Sequence, residues 1–269
     1  MRTSRTYRLM IAVLLGLPAI NACTKEESVH PEPLPVVEGY LAPGQPTVVR
    51  VTREITYGNV DTAVALANLT LRIIHGDQSY PLVETAPGEY TSDDLPVIPG
   101  DSYRLSFEYN GREITAATTV PQSPGTVTAS ATDIVVPQFG SGSGAELPDP
   151  IQYTWHNPEQ AYHLLVVKNV ESNPQPITFN LGDDVFEKPE PAFRLPPHRG
   201  DSQQLSIGRF SYYGEHAVIL YRIQPEYAAL YESNGSNSTD LVAPPTNVEG
   251  GLGIFTGVHA ADTLWVQVW

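Results

Sequence analysis

The sequence predicts an all-β protein: an N-terminal immunoglobulin-like or transthyretin-like sandwich, then a second mostly-β domain with one short helix, after a cleaved signal peptide. The chain holds 25 prolines and 21 glycines among runs rich in β-branched residues. Short runs that alternate apolar and polar residues recur at the spacing of roughly 8–12 residues that is typical of a sandwich. A basic and then apolar N-terminus predicts the signal peptide.

The first 22 residues have the three parts of a secretory signal. Residues 1–8 carry three arginines and no acid, residues 9–17 form an apolar run, and Ala22 offers a small residue at the cleavage position. A membrane-spanning helix needs roughly 20 apolar residues, about twice the length of this run. We therefore expect cleavage after Ala22 rather than a transmembrane anchor.

Cys23, the residue after this cleavage position, is the only cysteine of the chain. An exported protein with a single cysteine has no internal disulfide partner for it. The run from Ile20 to Cys23 resembles the lipobox of bacterial lipoproteins, and the resemblance implies that Cys23 carries the lipid. More than one acyl chain gives stable attachment, since each buried methylene contributes about 0.8 kcal/mol. Residues 23–33 are polar and proline-rich and predict an extended, lipidated tether.

Three charged residues behind the cysteine form a second signal. Lys25, Glu26 and Glu27 resemble the surface-export signal of Bacteroidota-type lipoproteins, a lysine followed by two acids. The resemblance implies a lipid-anchored protein of the outer membrane that is exposed on the cell surface.

The chain is strongly acidic, with 15 Lys+Arg, 30 Asp+Glu and a formal net charge of −15. Cleavage after Ala22 removes three arginines and no acid, which leaves −18 on the mature chain. Nucleic acids and anionic headgroups both attract basic surfaces. We therefore expect no nucleic-acid partner and a membrane contact only through the lipid. No D-x-D-x-D-G calcium loop is present, and we expect neither a metal nor a cofactor.

Residues 34–121 are predicted to form the immunoglobulin-like sandwich. Its clearest elements are two alternating runs on either side of Asn110-Gly111. Both residues of this pair tolerate positive φ, so the pair is a strong hairpin signal.

Residues 122–269 are predicted to form the second domain. Residues 151–157 and 162–170 are expected to pair as two strands, residues 216–224 to form an apolar strand, and a short helix to begin at Pro225. The last strand alternates two sets of side chains, Leu264, Val266 and Val268 against Trp265, Gln267 and Trp269.

Ordered motifs across the mature chain resemble one known family. The first part carries V-V-x-G, G-x-Y and G-x-x-Y-x-L patterns, and the second part carries P-x-N-x-x-G-G-x-G-x-F. The matching residues include Gly39, Tyr103, Asn247, Gly250, Gly251, Gly253 and Phe255. The chain thereby resembles the outer-membrane lipoprotein family called domain of unknown function 4249. The resemblance implies structural roles for these residues, a frequent association with TonB-dependent receptors, and no known activity.

The sequence shows no catalytic constellation, and we expect that the protein is not an enzyme. Gly251-x-Gly253 lacks the third glycine and the following helix of a dinucleotide loop, so a structural turn is the better interpretation. His156 and His163 lie on neighbouring predicted strands and can approach each other. We expect ordinary sheet histidines there rather than a metal pair.

Three function classes stay open. The leading one is an accessory or ligand-binding partner of a TonB-dependent transporter, which binds through loops and the exposed tyrosines of the second domain. A carbohydrate-binding surface module is the second, and a planar row of exposed aromatic residues would favour it. A structural surface-assembly protein is the third, and a broad, flat apolar patch would favour it.

Replacement of the cysteine tests the predicted anchor. In the native host, the Cys23→Ala variant should lose all incorporation of an alkyne-tagged fatty acid and leave the membrane fraction, because no other cysteine can form the thioether. In-gel fluorescence and membrane fractionation measure the two effects. The Lys25→Ala variant keeps the cysteine and should still be labelled. Labelling of the Cys23→Ala chain would contradict the predicted anchor.

Overall fold

The computed structural model describes residues 32–55, 63–136, 149–177, 190–235 and 244–269. The predicted signal peptide, Cys23 and the charged triplet Lys25, Glu26 and Glu27 lie outside these ranges. Within them, short strands follow one another along the chain, and the mostly-β class is confirmed. In the described parts of the chain, no helix has the length and apolar character to cross a bilayer.

The strands fall into two groups along the chain. The first group comprises β1 (Pro35–Leu41), β2 (Thr47–Arg53), β3 (Val64–Ala65), β4 (Arg72–His75), β5 (Gln78–Pro81), β6 (Val83–Ala86), β7 (Glu89–Ser92), β8 (Ser102–Tyr109) and β9 (Arg112–Thr119). The second group comprises β10 (Thr128–Ala129), β11 (Asp133–Ile134), β12 (Ile151–Thr154), β13 (Tyr162–Asn169), β14 (Ala192–Arg194), β15 (Ser202–Leu205), β16 (Gly214–Ile223), β17 (Val248–Glu249), β18 (Leu252–Ala260) and β19 (Leu264–Val268). A 3₁₀ turn spans Ile207–Arg209, and the helix α1 spans Pro225–Gly235.

The first group of strands builds the predicted sandwich. One sheet contains β1, β2, β7 and β6 in this order, and the other contains β17, β9, β8, β4 and β5. Side chains from both sheets meet in one hydrophobic cluster, in which Tyr90, Tyr103 and Leu105 are fully buried. The predicted hairpin joins β8 to β9, with φ of 51° at Asn110 and 72° at Gly111.

The second group of strands packs around a separate hydrophobic cluster. The small sheet β10-β12-β15 faces the strands β13, β16 and β19. Strand β19 lies between β16 and β11 with Val266 and Val268 buried, as the alternation of the last residues predicts.

The predicted pairing of residues 151–157 with 162–170 is wrong. Strand β12 pairs with β10 and β15, whereas β13 pairs with β14 and β16. The side chain of Asn157 stabilises the connection between the two sheets, because it donates to the backbone oxygens of Ala161, Arg199 and Gly200, each at 2.9 Å. Gln160 adopts a positive φ of 52° in the same connection. The chain therefore crosses from one sheet to the other instead of turning back as a hairpin.

Strand β18 links the two groups of strands. It runs parallel to β1 over six residue pairs and antiparallel to β16 through residues 258–260. One continuous sheet therefore extends from β6 to β11, and residues 33–269 form one compact unit. The boundary predicted between residues 121 and 122 stays a prediction. Two residues from the far side of it, Val248 and Phe255, pack in the first cluster.

The parallel contact between β1 and β18 requires glycine. A Cβ on Gly253 would lie 2.0 Å from the backbone oxygen of Val37, and its φ is 98°. A Cβ on Gly39 would lie 2.9 Å from the ring of Phe255. The two strands cannot move apart without breaking the backbone hydrogen bonds between them. Because only glycine fits at this distance, these glycines set the spacing of the strands.

Alanine at Gly253 should destabilise the fold severely. The Gly253→Ala variant combines an unfavourable φ with a backbone clash, and we expect a loss of about 3 kcal/mol or more in unfolding free energy. Gly44→Ala is the matched control: its φ is 72°, and nothing lies within 4 Å of the added Cβ. It should cost only about 1 kcal/mol. Urea denaturation of the mature chain measures both, and equal losses would contradict the proposed close contact.

Candidate functional site

A pocket lies on the outer face of the continuous sheet, beside α1. Strand alternation places one set of side chains from β13, β16 and β18 on this face. The opposite side chains of β13 and β16 fill the second hydrophobic cluster, and Phe255 of β18 packs in the first. The helix covers part of the face, where Ala228 packs on Leu164 and Ile223. The uncovered part forms a pocket of about 260 Å³, which we call the tyrosine pocket. Its lining residues are Tyr40, Leu164, Val166, Arg194, Tyr221, Ile223, Tyr227 and Val258.

Helix α1 is held in place by its first turn. Pro225 occupies the first helical position, where no backbone N–H is needed. The carboxylate of Glu226 accepts hydrogen bonds from the hydroxyls of Thr118 at 3.0 Å and Thr256 at 3.1 Å. These residues belong to β9 and β18, so the carboxylate connects the helix to both strands. The acid also lies at the end of the helix where its dipole is positive, which adds to the stabilisation.

Two tyrosines of the pocket, Tyr40 and Tyr221, have raised pKa values. The rings of Tyr40 and Tyr227 meet edge to face with centroids 5.9 Å apart. Burial and the neighbouring Glu38 carboxylate raise the pKa of Tyr40, and burial together with Tyr227 raises the pKa of Tyr221. Both phenols therefore stay protonated at neutral pH, where they can donate hydrogen bonds and stack. They are poor groups for proton transfer at that pH.

Arg194 supplies the positive charge of the pocket. It comes from the edge strand β14, paired with Val166 of β13. Its guanidinium donates to the Tyr227 hydroxyl at 3.1 Å and lies 5.6 Å from the ring centroid of Tyr231. Within the described ranges, no carboxylate lies within 4 Å of it. Its charge is thus held by aromatic contacts and remains available to an anionic ligand.

A second, more polar cleft of about 540 Å³ shares Ile223 with the tyrosine pocket. Arg222 and Glu159 form an ion pair at this cleft. Arg199 lies there as well, 5.1 Å from the ring centroid of Tyr162, and donates to the backbone oxygen of Gln160 at 2.8 Å. The two neighbouring depressions therefore each present an arginine stacked on a tyrosine.

The motif residues of the sequence lie away from this pocket, in the joint between strands. Asn247 donates to the backbone oxygens of Ala117 at 3.2 Å and Phe255 at 2.7 Å and accepts from the Phe255 N–H at 3.0 Å. It thereby ties β9 to β18. A Cβ on Gly251 would lie 2.8 Å from the backbone oxygen of Pro35, and one on Gly250 would lie 3.0 Å from the Ile114 side chain.

Tyr103 connects a loop to the first cluster. Its hydroxyl donates to the backbone oxygen of Pro96 at 2.8 Å and accepts from the Ile98 N–H at 2.7 Å. Its ring stacks on His75 with centroids 4.6 Å apart. This arrangement is similar to the tyrosine corner of immunoglobulin-like domains, in which a phenol fixes a crossing loop.

The structure does not bring His156 and His163 together as a pair of ligands. His156 is exposed in the connection between the two sheets, whereas His163 is buried beside Trp155, with ring centroids 5.6 Å apart. In the described residues, no group of three or more His, Cys, Asp or Glu is arranged to hold a metal ion.

Sequence reasoning missed the tyrosine pocket. Its residues come from five strands and one helix that are far apart in sequence, and none belongs to a recognised motif. Arg194 follows a stretch that has no clear strand pattern. The available signal was the apolar strand of residues 216–224 followed by a short helix. This pattern predicts an apolar sheet face beside the helix, but it does not indicate which residues cover that face.

The fold and the pocket define a mostly-β protein with an aromatic surface site of mixed polarity. A family model described as "Domain of unknown function (DUF4249)" matches residues 23–263. The chain belongs to this family. No protein of curated function matches the sequence.

The buried histidine predicts acid sensitivity. Burial lowers the pKa of His163 from 6.5 to about 4. Because the folded pKa lies below the unfolded one, the stabilisation is complete above pH 6.5 and is lost as the pH falls toward 4. We expect this to contribute about 2–3 kcal/mol to the loss of unfolding free energy between pH 7.5 and pH 4.5.

Urea denaturation of the mature chain at the two pH values measures this loss. His163→Asn should reduce it, whereas His156→Asn, at the exposed position, should leave it unchanged. Burial also lowers the pKa of His216. Its contribution to the pH dependence is the same in all variants and therefore cancels when they are compared. Identical pH dependence in the His163→Asn variant and the wild type would contradict the assignment.

Proposed function

We propose that the mature protein is a lipid-anchored binding protein of the outer-membrane surface, which holds a small ligand in the tyrosine pocket and works beside a TonB-dependent transporter. The observation that carries the proposal is the position of Arg194, which stacks on an aromatic ring in an open pocket and has no carboxylate within 4 Å in the described chain. In a chain with twice as many acids as bases, an arginine in this environment is suited to an anionic group that arrives from outside.

The lining of the pocket specifies the chemistry of this ligand. Leu164, Val166 and Ile223 offer apolar surface. The Tyr227 hydroxyl, which accepts from Arg194, can donate to a ligand, whereas the Tyr40 hydroxyl is bonded to the Glu38 carboxylate. A ligand with an apolar or aromatic body and one carboxylate can contact the apolar side chains, the tyrosine hydroxyl and the guanidinium of Arg194. The pocket volume of about 260 Å³ lies just below the usual range for small-molecule sites, so it suits a small molecule or one end of a larger one.

The proposed role is binding rather than catalysis. Burial raises the pKa of Tyr40 and Tyr221 above that of an ordinary tyrosine, so these phenols are even harder to deprotonate at neutral pH. They therefore act as hydrogen-bond donors and stacking surfaces. Glu226, the acid nearest in sequence to Tyr227, is occupied by two threonine hydroxyls.

The proposed location rests on the N-terminal sequence. Cys23 and the export signal Lys25-Glu26-Glu27 support a lipid anchor in the outer leaflet. The net charge of −18 on the mature chain opposes any additional grip on anionic headgroups. The association with a TonB-dependent transporter is supported by the family resemblance, and a tethered binding site beside a transporter would raise the local concentration of its cargo.

A pair of simple probes tests the pocket. Benzoate, which carries a carboxylate on an aromatic ring, should bind the mature chain in saturation-transfer NMR more tightly than neutral benzamide. Arg194→Met should weaken benzoate binding by about tenfold, because it removes a charge-assisted hydrogen bond. Arg209→Met is the matched control, since Arg209 also lies over an aromatic ring, that of Phe193 at 5.1 Å, but does not line the pocket. Equal binding of benzoate by wild type and Arg194→Met would contradict the proposed site.

Co-purification tests the partner separately. Mild detergent extraction of outer membranes from the native host, pull-down of this protein and mass spectrometry should recover a TonB-dependent receptor in near-equal amount. Recovery of the lipoprotein alone would rule out a stable transporter complex, whatever the result of the benzoate experiment.

A further inference from the structure

We infer that the exposed face of β19 is a second binding surface, a stacking platform for a chain of neutral sugars. Trp265 and Trp269 are 51% and 61% exposed, the largest exposed side chains among the described hydrophobic residues. They lie on the same side of one strand with Gln267 between them, while Val266 and Val268 point into the core. The inference concerns a different surface from the tyrosine pocket and does not depend on it.

The strand geometry sets the spacing of the two indoles. Four residues of extended chain separate the Trp265 and Trp269 backbones by about 13 Å. Backbone hydrogen bonds fix both tryptophans to neighbouring segments. Trp265 is paired with Ala217 of β16. The Trp269 N–H donates to the backbone oxygen of Ile134, and the Trp269 backbone oxygen accepts from the Val136 N–H. The platform is therefore rigid and longer than one sugar ring.

Polar side chains occupy the space between the indoles. Glu215 of β16 and Asp133 of β11 are the strand partners that flank Gln267, and both are exposed. Two carboxylates and an amide are good acceptors and donors for hydroxyl groups. An indole can pack on the C–H face of a pyranose ring, while the polar side chains beside it can bond the hydroxyl groups at the edge of the ring.

The charges of this surface select among possible occupants. Glu215 and Asp133, together with Glu171, whose carboxylate accepts from the Glu215 N–H at 2.9 Å, make the surface acidic. Acidic polysaccharides and nucleic acids are repelled by such a surface. Val135, which is 68% exposed, adjoins Trp269 at one end of this surface. Glu215, Gln267 and Asp133 nevertheless stand between the two indoles, whereas a protein interface usually has a contiguous apolar centre with a polar rim. A neutral glycan fits both the charge and the pattern.

Affinity electrophoresis tests the platform with defined probes. Native gels that contain laminarin, xyloglucan or polygalacturonate should retard the mature chain with at least one of the two neutral glycans and not with the anionic one. Trp265→Ala and Trp269→Ala should each weaken retardation by about tenfold, as the loss of one stacking contact predicts. The double variant should migrate as it does in a glycan-free gel.

Two controls make the experiment decisive. Trp265→Phe/Trp269→Phe should keep part of the retardation, because aromatic faces remain, and Arg194→Met should keep all of it, because the tyrosine pocket is a different site. Migration of wild type unaffected by both neutral glycans, or retardation that persists in the double alanine variant, would overturn the inference. Loss of a co-purified receptor in the double alanine variant without any glycan binding would also overturn it and would identify a protein interface instead.

Discussion

The close parallel contact between β1 and β18 is the constraint on which the rest of the structure depends. Val37 and Gly253 approach so closely that only a glycine fits at position 253, and Phe255 lies on the bare backbone of Gly39. The amide of Asn247 then ties β18 to β9 of the opposite sheet. Strand β18 therefore belongs to both parts of the structure. Its Phe255 packs in the first hydrophobic cluster, and its last residues pair with β16, which packs on the second.

This contact explains why the family motif holds glycines and an asparagine rather than reactive groups. Gly250 and Gly251 lie against the Ile114 side chain and the Pro35 backbone, where any side chain would push the sheets apart. The motif therefore maintains the backbone spacing of the fold. The residues with chemical variety, Arg194 and the pocket tyrosines, lie on the outer face of the same sheet.

Three arginines of this acidic protein share one arrangement, whereas Arg50, Arg72 and Arg222 pair with carboxylates. Arg194, Arg199 and Arg209 each lie over an aromatic ring, at 5.1 to 5.6 Å from the ring centroid. A guanidinium on an aromatic face keeps its charge and several of its donors exposed, whereas one in a salt bridge with a carboxylate does not. Arg194 and Arg199 place positive charge in this way at the two depressions beside α1, whereas Arg209 lines neither of them.

Elements whose signals are local can be predicted from the sequence. The alternation of the last strand, the Asn110-Gly111 turn and the helix that begins at Pro225 each depend on a few neighbouring residues, and each is confirmed. The mostly-β class and the family follow from the same kind of local pattern. The tertiary structure alone decided which strands pair and what they enclose. Residues 151–157 and 162–170 resemble a hairpin in sequence, yet the hydrogen bonds of Asn157 to Arg199 and Gly200 direct them into different sheets. The tyrosine pocket unites Tyr40 with Tyr227 only because β18 lies between β1 and β16, and such long-range contacts leave no periodic signal in the residues that make them.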